Sequence, residues 1–61
     1  MLVLSRRVGE ALVISLPDGR TVEVVPVAIG GGQVRLGIIA DRDIRIDRRE
    51  VHTRRAAHAA P

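Results

Sequence analysis

The chain has 61 residues and a net charge of +3, with no cysteine and no aromatic side chain. A domain this short buries only about 60% of its unfolded surface. The missing cysteines exclude disulfides and thiolate metal sites, which leaves oligomerisation as the route to stability. Without aromatics the core must be aliphatic, which favours strands, and sheets that stack bases on Phe, Tyr or Trp are excluded.

Residues 1–7 (MLVLSRR) begin as an apolar run and end in paired arginines, predicting a strand buried on both faces at first and exposed later. Val8-Gly9-Glu10 is a connection in which Gly9 is free to take a positive φ. Residues 11–15 (ALVIS) read as a second strand. In Leu16-Pro17-Asp18-Gly19, Pro17 presets φ at the first corner of a turn and Gly19 supplies the left-handed residue. Residues 20–29 return as a third strand and complete a hairpin. Pro26 lies inside that strand and cannot donate to a ladder, so it must face an edge or form a bulge. Gly30-Gly31-Gly32 turns the chain into a fourth strand, residues 33–39 (QVRLGII). Its alternation puts Val34, Leu36 and Ile38 on one face and Arg35 and Gly37 on the other. Residues 40–43 (ADRD) form a charged loop, and residues 44–47 (IRID) alternate as a short fifth strand.

Residues 48–59 are rich in Ala and Arg and favour a helix. Asp47 suits its N-cap, and Glu50 three residues later suits a capping box. Val51 is the main large apolar residue of this segment, so weak docking and a frayed last turn are expected. The chain reads as one domain, residues 1–61, mostly β with a C-terminal helix. Five short strands cannot close a barrel in so short a chain, but two chains exchanging strands can share a pair of sheets. A partner chain would also cover the apolar first strand, which is an aggregation hazard when bare.

All ten basic residues are arginine, and residues 31–61 hold seven of them against four acids. Arginine suits bidentate recognition of phosphates and base edges, although genome composition explains any single one equally well. No signal peptide is expected, because Met1 leads through a short apolar run into Arg6 and Arg7. No segment reaches the roughly 20 apolar residues of a membrane span, and a cytoplasmic location is expected. The glycine triplet lacks the lysine and following helix of a phosphate loop. Asp41, Asp43 and Asp47 lack the glycine and distal glutamate of an EF-hand. Ser5 and Ser15 have no neighbouring base, and His52 and His58 lie in the tail without zinc spacing. Neither an enzyme nor a metal or cofactor site is expected.

Met-Leu-Val-Leu-Ser-Arg-Arg-Val-Gly-Glu at residues 1–10 resembles the opening of the carbon storage regulator family, CsrA/RsmA. The resemblance continues through Gln33-Val34-Arg35-Leu36-Gly37-Ile38 and through Ile44-x-Ile46-x-Arg48-x-Glu50-Val51, in order and spacing, to about Arg55. It implies a bacterial RNA-binding regulator of translation that forms an interlocked homodimer. The first strand of one subunit would lie beside the last strand of the other, giving two equal RNA sites. It further implies binding to GGA-containing hairpin loops in messenger leaders, repression by blocking ribosome access, and altered message stability. The implied partners are those leaders, small decoy RNAs and, in some bacteria, a FliW-type protein antagonist. The family's binding positions fall on Leu4, Ser5, Arg6 and Arg7, and on Ile46 and Arg48. Ala40 and Arg42 lie in the loop where family members make backbone contacts to the bases. Arg48 ranks first, since a guanidinium can neutralise phosphate and stack on an unpaired base.

Two departures stand out against that resemblance. The hairpin tip carries a longer Leu-Pro-Asp-Gly turn, expected to be harmless. The loop that usually begins Ala-Pro begins Ala40-Asp41, which adds a carboxylate near the expected RNA path. Weaker affinity is the expected result, with Arg42 offsetting it. On pattern alone Arg6 and Arg7 also read as solvated strand-end charges, and Leu4, Ile44 and Ile46 as core. Two other function classes remain open: a swapped-β-dimer DNA-binding transcription regulator, and a protein-interaction module that offers a strand edge.

Overall fold

The computed structural model describes the backbone of residues 1–59 and the side chains of residues 1–54. Three antiparallel strands, β1 (Leu12–Ser15), β2 (Thr21–Gly30) and β3 (Gln33–Ile39), form one sheet in the order β1-β2-β3, followed by helix α1 (Arg49–Ala59).

Turn chemistry sets the sheet. Between β1 and β2 the Gly19 N–H donates to the Leu16 carbonyl at 3.0 Å, and the Leu16 N–H donates to the Arg20 carbonyl at 2.8 Å. Gly19 has φ 92° and no non-glycine residue among those described has a positive φ, so Leu16–Gly19 is a type I turn closed by a glycine bulge. Between β2 and β3, Gly30 pairs with Gln33, and the two intervening glycines have φ 59° and 73°. Positive φ at both central residues defines a type I′ turn, whose twist matches that of the flanking strands.

Pro26 produces the bulge the sequence demands. Pairing runs Val24↔Ile38, Val25↔Gly37, Pro26↔Leu36 and then Ala28↔Arg35, leaving Val27 as the extra residue. The Pro26 carbonyl accepts from the Gly9 N–H at 2.9 Å, on the flank of β2 that β1 has already left. The missing N–H of Pro26 therefore costs no bond to β3. Since paired residues share a face and the face alternates along each strand, the bulge returns Ile29 to the side it would otherwise leave. Leu12, Ile14, Val22, Val24, Pro26, Ile29, Val34, Leu36 and Ile38 then form one wholly apolar face. The other face carries Ser15, Thr21, Glu23, Gln33 and Arg35 among its residues.

That apolar face is largely bare in the single chain. Among the described residues only Val22 and Pro26 are buried, and Ile29, Val34 and Leu36 are 58%, 55% and 55% exposed. The Cα radius of gyration is 13.9 Å, against about 10.5 Å for a compact chain of this length. Among the described residues no strand packs against α1, in line with the weak docking expected of a helix whose main apolar residue is Val51.

Two of the five expected strands are not formed in the single chain. Residues 1–7 and 44–47 have strand sequences but are not strands here, because a strand exists only through hydrogen bonds to a neighbour and the single chain offers them none. The strands expected at residues 11–15 and 20–29 begin one residue later, at Leu12 and Thr21, and the second of them runs on to Gly30. The helix start is corrected. The first helical bond runs from the His52 N–H to the Arg48 carbonyl at 3.0 Å, so Arg48, not Asp47, occupies the cap position. Glu50 meets Arg48 Nε at 3.5 Å. The frayed end expected of the helix falls on side chains and terminal residues outside those described.

Candidate functional site

Three groups of predicted site residues occupy three places. The first is the N-terminal segment. The Glu10 N–H donates to the Arg7 carbonyl at 2.9 Å, and with Gly9 at φ 86° residues 7–10 make a type II turn. The Glu10 carboxylate closes it from both sides: Oε1 accepts from the Arg7 N–H at 2.9 Å and Oε2 meets Arg6 Nη2 at 3.0 Å. The Arg-Arg-x-Gly-Glu pattern is thus a self-clasped turn. Arg6 contributes a charge to it, while the Arg7 guanidinium has no ion-pair partner among the described residues. Leu4 is 60% exposed, and Ser5 is exposed beside it.

The second place is a groove of about 500 Å3 between the apolar face and the chain entering α1, lined by Val34, Leu36, Ile38, Ile46, Asp47 and Arg48. The alternation of β3 aims its three apolar residues at one wall, and Ile46, 43% exposed, faces them from the other. The Arg48 side chain is 81% exposed. Its 3.5 Å approach to Glu50 is an exposed ion pair of little strength, which leaves the guanidinium available. The aliphatic wall belongs to the bare apolar face, so what the groove offers an unpaired base and its phosphate is its rim, Ile46 and the exposed, planar Arg48 guanidinium.

The third place is the loop at residues 40–43. Ala40 is half-buried and Arg42 is exposed. The Ile44 N–H donates to the Asp41 carbonyl at 3.0 Å, making a tight turn. Arg20, at the start of the returning hairpin strand, reaches this turn. Its Nη1 donates to both oxygens of Asp43 at 2.7 and 2.6 Å and lies 3.7 Å from Asp41 Oδ2. Its Nε donates to Asp18 Oδ2 at 2.6 Å, and its backbone N–H donates to Asp18 Oδ1 at 3.0 Å. The backbone N–H of Arg20, followed by its guanidinium, holds the Asp18 carboxyl below its ordinary 3.8. The guanidinium does the same to Asp43, and both acids push Arg20 up.

Ile46 and Arg48 are therefore brought together, with Ala40 and Arg42 a few residues before them. No hydrogen bond or ion pair joins Leu4, Ser5, Arg6 or Arg7 to that group among the described residues. The sequence reading missed Arg20. The alternating Asp41 and Asp43 and the Asp18-x-Arg20 pair were the available signals, but they lie 23 residues apart at Arg20–Asp43 and no local pattern joins them. Among the described residues no group of three or more His, Asp or Glu is placed to hold a metal ion, and no helix is long and apolar enough to cross a membrane.

Comparison with known proteins gives a consistent result. The model of the CsrA family, described as a global regulator protein family, matches residues 1–57. The chain is 51% identical over 51 residues to the translational regulator CsrA of Hydrogenovibrio crunogenus, covering 84% of this chain and 67% of the relative. It is 46% identical over 52 residues to the protein of the same name from Geotalea uraniireducens, covering 85% of this chain and 61% of the relative. The match thus spans about two thirds of these relatives' length, or slightly less. No solved structure matches.

Proposed function

Since the chain belongs to the CsrA family of global regulators, we propose that it is a post-transcriptional regulator that binds GGA-containing loops or single-stranded segments of messenger leaders. Bound there it blocks ribosome access, represses translation and alters message stability. The observation that carries this reading is the family match over residues 1–57. The two curated relatives, both named translational regulators, support it.

The working unit is a homodimer, in the cytoplasm where translation runs. A sheet with one apolar face and two strand-like segments without ladders lacks both a cover and a pairing edge, and a second copy supplies both. In that assembly residues 1–7 of one protomer lie beside residues 44–47 of its partner. Leu4, Ser5, Arg6 and Arg7 thereby join Ile46 and Arg48 in each of two sites, with Ala40 and Arg42 at the loop. Leu4 and Ile46 offer apolar platforms, Arg48 takes phosphate and base, and strand-edge amides and carbonyls read the purine edges. Small decoy RNAs with GGA loops, and a FliW-type antagonist where one is present, would compete for the protein. No residue takes a catalytic role.

A gel-shift titration tests the reading, using a short RNA hairpin with GGA in its loop, the same hairpin with CCA, and duplex DNA as competitor. Tight binding to the GGA hairpin alone, at physiological salt, is the expected result. Equal binding to both hairpins, or preference for the duplex, would sink it.

A further inference from the structure

Arg20 is fixed at both ends before it meets the loop. Its carbonyl accepts from the Leu16 N–H and its own N–H donates to Asp18. Asp18 also holds Nε at 2.6 Å, so Nη1 is aimed at Asp43 and Asp41 by the hairpin tip rather than by chance. Those two carboxylates flank Arg42 in the loop and are 69% and 64% exposed. Left unbalanced, they would face an incoming polyanion well within the screening length of about 8 Å at physiological salt. Single exposed ion pairs contribute little to stability, but several charges on one oriented guanidinium act as a network. The consequence here is on the field in front of the loop.

We propose that Arg20 is a positioning residue for RNA binding: touching no RNA itself, it draws the Asp41 and Asp43 carboxylates onto its guanidinium and offsets part of their charge, so that a phosphodiester chain can approach the loop backbone. The inference rests on residues 40–43 facing RNA, as proposed above. It also links the two departures from the family pattern. The extended Leu-Pro-Asp-Gly tip supplies the acid that orients Arg20, and Arg20 compensates the acids of the altered loop.

The test is a titration of the GGA hairpin at about 0.1 M salt. Arg20→Gln should weaken binding about fivefold, close to 1 kcal/mol, with the loss shrinking as salt rises. Adding Asp41→Asn and Asp43→Asn to that variant should restore most of the affinity. Adding Gln33→Arg instead returns the net charge about 20 Å away at the far end of β3 and should not. Unchanged affinity in Arg20→Gln, failure of the asparagine pair to restore it, or equal restoration by Gln33→Arg overturns the role of Arg20. A merely structural role predicts no rescue by the asparagines, since the clamp is still missing. If Arg20→Gln fails to fold, the asparagine pair with Arg20 intact decides: affinity at or above wild type is expected, and lower affinity overturns the proposal. A wild-type protein that does not distinguish GGA from CCA refutes the proposed function and this inference together. Discrimination by the wild type with any of the adverse outcomes refutes only the inference.

Discussion

The β1–β3 meander and the two flanking segments, residues 1–7 and 44–47, are all built from strand-forming aliphatic sequence, yet only the meander is a sheet. The meander carries its own instructions, two glycine-dependent turns and a proline bulge, which bring each strand beside its neighbour in the chain. The flanks have the side chains of strands but no turn that delivers a partner backbone. Alternation decides which side of a strand will be buried, whereas turn chemistry decides what it pairs with. Where the pairing partner belongs to another molecule, the first signal survives in a single chain and the second cannot.

The sharpest way to break this contrast is to charge the apolar face. Leu36 is 55% exposed in the single chain, so Leu36→Asp should barely disturb an isolated meander. In a dimer that covers this face, it buries an unpaired carboxylate at a cost on the order of 3 kcal/mol or more. Sedimentation at micromolar concentration should show wild-type dimer and variant monomer; a stable variant dimer would mean the face is not the interface. Next in size, Arg48→Ala should weaken GGA binding by about 1–3 kcal/mol while circular dichroism and dimer mass stay unchanged. Loss of the dimer would make Arg48 structural.

Within the meander, Gly32→Val forces a β-branched side chain to φ 73° and should cost about 1–2 kcal/mol, read as a lower urea midpoint. Gly32→Asn should recover most of it, because asparagine tolerates that region. The smallest effect concerns acid. Asp18 and Asp43 are held below their ordinary 3.8 in the folded chain. Any stability the clamp adds is therefore present above that value and lost as pH falls below it, through the lowered folded values. In Arg20→Gln the Asp43 carboxyl should rise toward its ordinary value by NMR, while Asp18, still held by the backbone N–H of residue 20, should rise less; an unmoved Asp43 would assign its lowering to another partner.

Much of this was legible in the residues. Pro17, Gly19 and the glycine triplet located both turns, Pro26 announced the bulge, and Val34-x-Leu36-x-Ile38 named the apolar wall of the groove. The segment around Arg48 was found through the family resemblance. Two things were not legible. Whether residues 1–7 and 44–47 form ladders depends on a backbone that local periodicity does not describe. The Arg20 clamp depends on where a hairpin tip and a distant loop meet, and exposed charges carry no periodicity that marks such a meeting. The added carboxylate of Asp41 lies 3.7 Å from the Arg20 guanidinium, a cation it shares with Asp18 and Asp43.

Val27 has a consequence of a different kind. Because it is the unpaired residue at the bulge, it drops out of the alternation that the rest of β2 keeps. Its side chain is 58% exposed, so many substitutions there should pass unnoticed. Deleting the residue altogether would leave a regular ladder, with Ala28 following Pro26 opposite Arg35 and Ile29 still opposite Val34 on the apolar face. The position therefore constrains length in one direction: a gene encoding this strand can lose codon 27 and keep the register, whereas one further codon needs a second bulge or turns Ile29 to the polar side.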